Sequence, residues 1–399
     1  MKNRDLYLQK LLAFKDKSLV KVISGVRRCG KSSLLDLLEQ HLLHDGVSQD
    51  AIIRINFESL NFDEIKTYSQ LHEYVKARIK PNGMTYILLD EVQMIESWER
   101  AVNSLRLINT ADIYVTGSNA YLLSSEISTL LSGRYVEIKM LPLSFKEFID
   151  FNNLEAADAE TAFGRYLEFG GFPGISELMD NTATISPYLD GIYNTIIMRD
   201  VVQRNAVRDP ALLDNIVRFL SGNIGNMVSA KKISDYLTSA GRKTSSETVE
   251  NYMKMLENAF IFYRIGRYDI KGKQRLKTQG KYYIVDTGIR NELSGERGQD
   301  YGSILENIVY LELLRRGYTI SIGRFNNLEI DFVASKPNEL VYVQVTATMM
   351  DEVTRDRELE PLRQIPDNYR KIVLSMDRIA FKDYEGITNE YLLDFLLED

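Results

Sequence analysis

Short apolar runs alternate with amphipathic stretches along the first part of the chain. Residues 20–23 are rich in β-branched side chains and predict a buried strand, and residues 33–40 have the apolar spacing of a helix. Similar apolar runs at 51–57, 85–89 and 113–115 predict further strands. Strands that alternate with helices are typical of an α/β protein with a doubly wound, mostly parallel sheet. Ligands bind such sheets at the carboxyl ends of the strands, so the polar residues after each run are candidates for a binding site.

The remainder of the chain has a different pattern. Residues 154–204 are predicted to be mainly helical, with a sharp bend at 170–174. Three helices and two strands are predicted next, at 212–223, 229–237, 245–256, 260–265 and 281–286. The last hundred residues predict a second α/β region, with a helix at 303–316 and paired strands at 329–334 and 340–346.

The composition is that of a globular protein with more than one domain. The chain has 399 residues, of which 44% are hydrophobic and 26% are charged, and this length predicts two to four domains. No apolar run approaches the length of a membrane span, and residues 1–6 lack the apolar core of a signal peptide. Cys29 is the single cysteine, which excludes an intramolecular disulfide and a cysteine-based zinc site. We therefore predict a cytoplasmic protein that makes no contact with a membrane.

Charge is distributed unevenly along the chain. The whole chain has a net charge of −7, which argues against a uniformly cationic surface for nucleic acid. Residues 209–290 contain 14 Lys and Arg against eight Asp and Glu, a local net charge of +6. This basic segment coincides with the three predicted helices and the two strands after them, so it is the part of the chain to examine for contact with DNA.

The strongest chemical motif follows the first predicted strand. The candidate phosphate-binding loop consists of Gly25, Val26, Arg27, Arg28, Cys29, Gly30, Lys31, Ser32 and Ser33. It fits the pattern G-x-x-x-x-G-K-S, whose glycines allow successive N–H groups to point at phosphate oxygens. We expect Lys31 to contact the β- and γ-phosphates and Ser32 to offer its hydroxyl to Mg²⁺. The loop therefore predicts ATP as the ligand and Mg²⁺ as the cofactor.

A second motif ends the predicted strand at 85–89. Asp90 and Glu91 follow this strand directly. Asp90 is expected to hold Mg²⁺, directly or through water. Glu91 is placed to polarise the attacking water as a general base. A strand that ends in two carboxylates downstream of a phosphate-binding loop predicts ATP hydrolysis.

Two further positions have more than one interpretation. Ser118 or Asn119 would sense the γ-phosphate or the attacking water if the preceding strand lies between the strands of the two motifs. The alternative is a helix N-cap before residues 120–123. Arg134 precedes the next predicted strand, where its guanidinium would reach the nucleotide of this chain or of a neighbouring subunit. A surface salt bridge is the alternative for Arg134, and an oligomer is left open.

Five short motifs follow one another in the order G-V-R-R-C-G-K-S, L-L-D-E-V-Q, T-G-S-N-A, L-S-G-R-Y and L-P-L-S-F-K-E-F. Together they resemble a family of bacterial and archaeal AAA-like ATPases that is related to the signal-transducing STAND ATPases and has a C-terminal domain of unknown function. Residues 166–173 and 197–201 also resemble this family, and the resemblance covers essentially the whole chain. It implies ATP binding, whereas the later motifs say little about the purpose of the family.

Three helices followed by a basic hairpin predict a winged helix. Its third helix would enter a major groove, and residues 271–277 would lie on phosphates. That helix presents Glu247 and Glu250, however, which are poor partners for DNA. Winged helices in this class of ATPase also pack against the nucleotide-binding part, so contact with DNA and a packing role both remain open.

The C-terminal pattern resembles restriction-endonuclease-like nucleases, which have a helix glutamate, a strand aspartate and (E/Q)-x-K one strand later. Glu306, Asp331 and Gln344 match these positions, Glu329 adds a carboxylate, and Thr346 stands where the lysine is expected. In such nucleases the carboxylates hold Mg²⁺ and the lysine orients the nucleophilic water. Without that lysine, two interpretations remain, a hairpin whose acidic residues occur there by chance and a nuclease fold that is kept as a binding surface, and the second is favoured.

These patterns predict an α/β protein in four regions. They are a P-loop NTPase domain with a doubly wound parallel sheet at 1–150, a helical lid at 151–207, a winged helix at 208–292, and a degenerate α/β restriction-endonuclease-like domain at 293–399. The predicted function is Mg²⁺-dependent ATP binding and hydrolysis that drives a conformational switch, with DNA association left open. The alternatives are an ATP-dependent nuclease and a non-hydrolysing regulator that senses nucleotide and binds a protein partner.

Overall fold

The computed structural model describes most of the chain, in two compact units. The described residues are 2, 4–120, 131, 133–155, 158–295, 300–378 and 383–398, without the side chains of 275–278. The first unit comprises Met1–Met140 with Asn258–Phe260, and the second comprises Leu141–Glu257 with Ile261–Asp399. The first break in the chain thus lies ten residues before the predicted boundary at 150, and the finer division into four regions stays a prediction.

A five-stranded sheet forms the centre of the first unit. Its strands are β1 Val20–Ser24, β2 Ile52–Asn56, β3 Thr85–Asp90, β4 Ala111–Gly117 and β5 Tyr135–Lys139. They lie in the order β2-β3-β4-β1-β5, and all neighbours are parallel. β4 therefore lies between the strands that precede the two motifs. The predicted α/β class with a parallel P-loop sheet is confirmed.

Burial on both faces explains why these segments form parallel strands. Every residue of β1 and of β3 is buried, as the continuous apolar runs predict for strands covered by helices on both sides. The helices Tyr68–Lys76 and Trp98–Leu105 contribute to one core with residues of the sheet. The other helical segments of this unit are Asp5–Leu12, Lys31–His44, Gln49–Ala51, Leu60–Phe62 and Val92–Met94.

The second unit contains most of the helices. Its α-helices are Phe145–Phe151, Ala159–Phe169, Ile185–Thr195, Pro210–Ser221, Ala230–Ser239, Ser246–Asn258, Thr287–Ser294, Tyr301–Arg315, Glu352–Arg363 and Leu392–Leu397. Pro173–Glu177 and Thr182–Thr184 are 3₁₀ turns, and Ile196–Gln203 is π-helical. Within the described ranges, no helix has the length and apolar character needed to cross a bilayer.

A nine-stranded sheet runs through the second unit. Its strands are β6 Met227–Val228, β7 Phe262–Asp269, β8 Gln274–Ile284, β9 Thr319–Phe325, β10 Leu328–Lys336, β11 Glu339–Val345, β12 Arg370–Ser375, β13 Asp383–Tyr384 and β14 Ile387–Tyr391. Their order is β13-β14-β12-β11-β10-β9-β7-β8-β6. β7 and β8 form the predicted hairpin, and β7 pairs in parallel with β9. The hairpin and the C-terminal strands thus share one sheet, and the predicted boundary at residue 292 falls between its strands.

A buried carboxylate holds the predicted bend at Gly170. This glycine has a φ of 80°, and a Cβ there would overlap the side chain of Asp286. Asp286 Oδ2 accepts a hydrogen bond from the N–H of Gly171 at 2.7 Å, and its Oδ1 accepts one from the N–H of Ile289 at 3.1 Å. Burial raises the pKa of Asp286 to about 6, although these backbone donors act to lower it. The bend is therefore part of the packing of this unit.

Candidate functional site

The carboxyl end of β1 continues into a tightly wound loop, which leads into the helix Lys31–His44. Gly25 has a φ of 154°, Gly30 a φ of 102°, and Arg28 lies in the left-handed region with a φ of 67°. A Cβ on Gly25 would overlap the carbonyl oxygen of Met140, so this position requires glycine. The loop places its N–H groups before the first turn of a 14-residue helix, which is the geometry of an anion-binding site.

Lys31 is the first residue of that helix, and its side chain folds over the loop. Its Nζ donates to the carbonyl oxygens of Gly25 and Val26, both at 3.1 Å. The same Nζ lies 3.8 Å from Glu91 Oε1. Phosphate oxygens are charged and therefore stronger acceptors than these neutral carbonyls. The ammonium group is thus held at the loop by contacts that a phosphate can replace.

The other loop residues divide into buried and accessible side chains. Val26 and Cys29 are completely buried, and burial raises the pKa of the Cys29 thiol. Arg4 donates to the carbonyl oxygen of Cys29 at 3.0 Å and so fixes the loop from the N-terminal side. The side chains that keep some exposure are those of Arg27, Arg28, Ser32 and Ser33.

Asp90 ends β3 at the same edge of the sheet and is completely buried. Thr116 Oγ1, on β4, donates to Asp90 Oδ1 at 2.5 Å. Thr116 Oγ1 also accepts a hydrogen bond from the backbone N–H of Glu91 at 2.9 Å. One hydroxyl thus orients both residues of the carboxylate motif. Sequence analysis did not identify Thr116, although it belongs to the T-G-S-N-A motif.

Glu91 adopts a left-handed conformation with a φ of 55°. For a residue other than glycine such a conformation costs of the order of 1–3 kcal/mol, and it is common at functional sites. Glu91 Oε2 accepts from Ser118 Oγ at 3.3 Å and from the side-chain amide of Gln93. These two donors hold the carboxylate with its other oxygen, Oε1, on the side of Lys31.

Ser118 and Asn119 are both completely buried after the end of β4. The hydroxyl of Ser118 donates a hydrogen bond to Glu91 Oε2. The alternative interpretation, a cap for a helix that includes residues 121–123, lies outside the described residues.

Arg54 is a cation at this site that sequence analysis did not identify. It lies on β2, and its Nη2 is 3.0 Å from Asp36 Oδ1, 3.3 Å from the carbonyl oxygen of Ser32 and 3.5 Å from Asp90 Oδ2. Its Nη1 is buried and has no hydrogen-bond partner in the part of the chain that the structure describes. Burial raises the pKa of Asp36, which the positive charge of Arg54 opposes. The signal in the sequence is an arginine within the apolar run I-I-R-I-N.

Arg134 lies away from these groups. It is exposed and directly precedes β5, and its carbonyl oxygen accepts the N–H of Val20, the first residue of β1, at 3.0 Å. The phosphate-binding loop follows the other end of β1, so Arg134 lies at the opposite edge of the sheet, roughly 16 Å along the strand direction. The fold thus keeps Arg134 apart from the site of its own chain, and contact with the nucleotide of a neighbouring subunit stays a prediction.

A second charged cluster lies in the second unit. Lys281 Nζ, from β8, is 2.7 Å from Glu306 Oε1, 3.0 Å from Glu329 Oε1 and 3.5 Å from Asp331 Oδ1. The structure thus brings together the three carboxylates of the nuclease-like pattern and adds a lysine that sequence analysis did not identify. We call these four residues the Lys281 cluster.

The two remaining positions of the nuclease-like pattern lie on and just after β11. Gln344 Oε1 accepts the N–H of Asp331 at 3.3 Å, and its Nε2 donates to Glu358 Oε2 at 2.8 Å. Thr346 donates its hydroxyl to the carbonyl oxygen of Thr348 at 3.2 Å. Gln344 therefore lies beside Asp331, whereas Thr346 makes a local contact.

Two regions of the chain match family models. Residues 17–149 match an AAA domain, and residues 160–300 match a domain of unknown function. The chain is 41% identical to an uncharacterized protein of Haemophilus influenzae, over 100% of this chain and 99% of that protein. It is 30% identical to an uncharacterized protein of Methanocaldococcus jannaschii, over 99% of this chain and 89% of that protein.

Among solved structures, the chain is similar to the Walker-type ATPase Paby2304 of Pyrococcus abyssi. The TM-score is 0.51 at 18% sequence identity, over 73% of this chain and 96% of that chain. At this level of identity the likeness concerns the fold.

Proposed function

Because this chain belongs to the same family as the Haemophilus influenzae and Methanocaldococcus jannaschii proteins, and because its N-terminal part is an AAA-type P-loop ATPase domain, we propose that it binds Mg²⁺–ATP at residues 25–33 and hydrolyses it. The observation that carries the proposal is the convergence of Lys31, Asp90 and Glu91 at one edge of the parallel sheet. The AAA fold indicates nucleotide binding and hydrolysis in general, and the roles of single residues are proposed here.

The loop accounts for binding of the triphosphate. Backbone N–H groups of residues 25–33 would bind phosphate oxygens, and Lys31 would exchange its two carbonyl acceptors for the β- and γ-phosphates. Ser32 and Asp90 would hold Mg²⁺, which bridges phosphate oxygens and neutralises the charge that develops on them. The guanidinium of Arg54 already contacts both Asp90 and the backbone of Ser32, which supports a place for positive charge between them.

Glu91 is the proposed general base. Ser118 and Gln93 hold one carboxylate oxygen, so the other is free to accept the proton of a water molecule that attacks the γ-phosphate. Thr116 keeps Glu91 in place through its backbone. Of the two candidate sensors, Ser118 is favoured by its contact with Glu91, and Asn119 is the alternative.

Two substitutions separate binding from hydrolysis. Glu91→Gln should keep ATP affinity and lower the rate of phosphate release by roughly 10²- to 10⁴-fold, because the phosphate donors remain while the base is lost. Lys31→Ala should lose ATP binding itself. The matched control is Glu96→Gln, which makes the same chemical change at an exposed residue just beyond the motif. Wild-type turnover in Glu91→Gln would remove Glu91 from this role.

ATP turnover is proposed to act as a switch on the second unit. The Haemophilus influenzae relative covers the whole of this chain, so both units occur together in that protein. The second unit should therefore differ in protease sensitivity between ATP-bound Glu91→Gln and the nucleotide-free protein. ATP binding without turnover in the wild type would favour a nucleotide-sensing regulator that binds a protein partner.

The second unit also offers a candidate surface for DNA. The helices Pro210–Ser221, Ala230–Ser239 and Ser246–Asn258, followed by the β7–β8 hairpin, have the order of a winged helix. Lys271 and Lys273 are exposed at the turn of the hairpin. Arg275 and Lys277, which sequence analysis grouped with them, have side chains outside the described part of the structure.

Salt dependence tests this surface. DNA affinity should fall steeply with salt, and replacing Lys271 and Lys273 by glutamine should reduce the slope by about one unit for each phosphate that is no longer neutralised. Glutamine at Lys66 and Lys76, two exposed lysines of the first unit, controls for net charge. Equal salt slopes in both double variants would assign the hairpin a packing role. ATPase assays with and without DNA then show whether binding is coupled to turnover.

A further inference from the structure

The Lys281 cluster joins three separate elements of the second unit. Lys281 comes from β8, Glu306 from the helix Tyr301–Arg315, and Glu329 and Asp331 from alternate positions of β10, which share one face of the strand. The side chain of Lys281 is 5% exposed. Its charge is therefore balanced by carboxylates rather than by water.

Aromatic packing holds the lysine strand in place. Tyr283 lies two residues beyond Lys281 on β8 and donates its hydroxyl to Glu306 Oε1. The ring of Tyr283 is completely buried, with its centroid 4.7 Å from that of Tyr310 in a stacked arrangement and 5.8 Å from that of Phe332. Close packing of this kind resists movement of β8 away from the carboxylates.

Four of the six carboxylate oxygens of the cluster have partners among the described residues, namely one oxygen each of Glu306 and Glu329 and both oxygens of Asp331. Glu306 Oε1 accepts from both Lys281 and Tyr283. Asp331 directs Oδ1 to Lys281 and Oδ2 to a backbone N–H at the end of β11, at 2.9 Å. The carbonyl oxygen of Gln344, which the nuclease pattern would offer to a metal, accepts the N–H of Asp331.

We propose that the ammonium group of Lys281 takes the place of the divalent cation that the resemblance to restriction-endonuclease-like nucleases implies, so that the Lys281 cluster does not bind Mg²⁺ in the native chain. Mg²⁺ requires near-octahedral oxygens at about 2.0–2.1 Å, whereas an ammonium group is satisfied by hydrogen bonds of looser geometry. The spread from 2.7 to 3.5 Å around Lys281 Nζ fits the ammonium.

The contacts of Lys281 agree with this assignment, because its ammonium group lies within 3.5 Å of one oxygen of each of the three carboxylates. The lysine that the pattern lacks at Thr346 is therefore not replaced in its nuclease role, because Lys281 binds the carboxylates themselves.

Binding of Mn²⁺ to the full chain, measured by calorimetry, tests the proposal. All variants carry Asp90→Asn, which silences the nucleotide site. Addition of Asp331→Asn should leave Mn²⁺ binding unchanged, because the native cluster holds no metal. Lys281→Met should create a site with at least tenfold higher affinity, because it frees the carboxylates, and Lys281→Met with Asp331→Asn should lose that site again.

Two results would overturn the proposal. One is Mn²⁺ binding that Asp331→Asn abolishes while Lys281 is present, together with metal-dependent DNA cleavage, which would make Lys281 a partner of a bound metal and favour the nuclease alternative. The other is a folded Lys281→Met variant, judged by circular dichroism, that gains no Mn²⁺ site. If Lys281→Met does not fold, the effect of Asp331→Asn on Mn²⁺ binding in the chain that keeps Lys281 still decides.

Discussion

Lys31 and Lys281 are two of the lysines that face carboxylates in this molecule, and the groups that surround each of them differ. Counted as whole residues, Lys31 and Lys281 are equally buried, at 4% exposure each. Lys31 donates to two neutral carbonyl oxygens and lies 3.8 Å from a single carboxylate, whereas Lys281 contacts three carboxylates. Burial therefore does not distinguish the lysine that is proposed to bind a ligand from the lysine that is proposed to support packing. The charge of the acceptors does, because a ligand can replace neutral carbonyls, while opening a buried ion cluster leaves uncompensated charges.

The backbone around the two lysines does not separate them. Arg28, three residues before Lys31, and Glu91, whose carboxylate lies 3.8 Å from Lys31 Nζ, adopt left-handed conformations that non-glycine residues rarely adopt. Lys281 lies in antiparallel pairing, opposite Ile265 of β7 and Met227 of β6, but Gln279 has a φ of 54° and the register between β7 and β8 shifts after Gly266. The acceptors of each ammonium group, and not the backbone, therefore distinguish the two sites.

Exchanging each lysine for methionine is the sharpest way to break this comparison. Lys281→Met should lower the free energy of unfolding of the second unit by about 3–5 kcal/mol, because two buried carboxylates, those of Glu306 and Asp331, lose their cation. Lys31→Met should leave the free energy of unfolding of the first unit nearly unchanged, because the hydrogen-bond acceptors of Lys31 are neutral carbonyls, and it should abolish ATP binding. Denaturant titration and nucleotide binding on both variants provide the measurements. The comparison fails if Lys31→Met is the more destabilising of the two.

Asp286 extends the comparison to a buried carboxylate whose partners are neutral N–H groups. Its pKa is raised from 3.8 to about 6, so the folded state keeps a proton that the unfolded state releases between these values. The stabilisation is fully present below pH 3.8 and is lost as pH rises through 6, by on the order of 2–3 kcal/mol. Asp286→Asn should remove this part of the pH dependence in unfolding titrations from about pH 4 to 7. If the free energy of unfolding of Asp286→Asn depends on pH as in the wild type, groups other than Asp286 cause that dependence.

Arg54 tests whether a cation beside Asp90 competes with Mg²⁺. Arg54→Ala should lower the Mg²⁺ concentration needed for half-maximal ATPase activity, because a charge that contacts Asp90 is removed. The turnover rate should fall about tenfold, which corresponds to about 1.4 kcal/mol, because positive charge near the phosphates is lost. Arg54→Lys is the matched variant, and its Mg²⁺ requirement and turnover rate should lie between those of the wild type and those of Arg54→Ala. A higher Mg²⁺ requirement in Arg54→Ala would show that Arg54 supports the metal instead of competing with it.

The candidate nucleotide site was predictable where its residues are close in sequence. The strand β1, the glycines and Lys31 lie within a few residues of each other, and each follows from local requirements for burial, positive φ or charge. Thr116 and Arg54 were not identified, because their roles depend on β4 lying between β1 and β3 and on β2 lying beside β3. Arg134 shows the opposite case, since the parallel register places it at the far edge from the loop.

Local pattern was sufficient for the elements themselves, for the phosphate-binding loop and for the α/β class, because apolar periodicity and glycine requirements act over short distances along the chain. Packing in three dimensions decided the rest. The pairing of β7 with β9 makes one sheet of the hairpin and the C-terminal strands. It brings Lys281 against Glu306, 25 residues away, and against Asp331. The balance of charge in a buried cluster depends on which distant segments meet there. Burial of the whole sheet, rather than any local stretch of sequence, determines which segments meet.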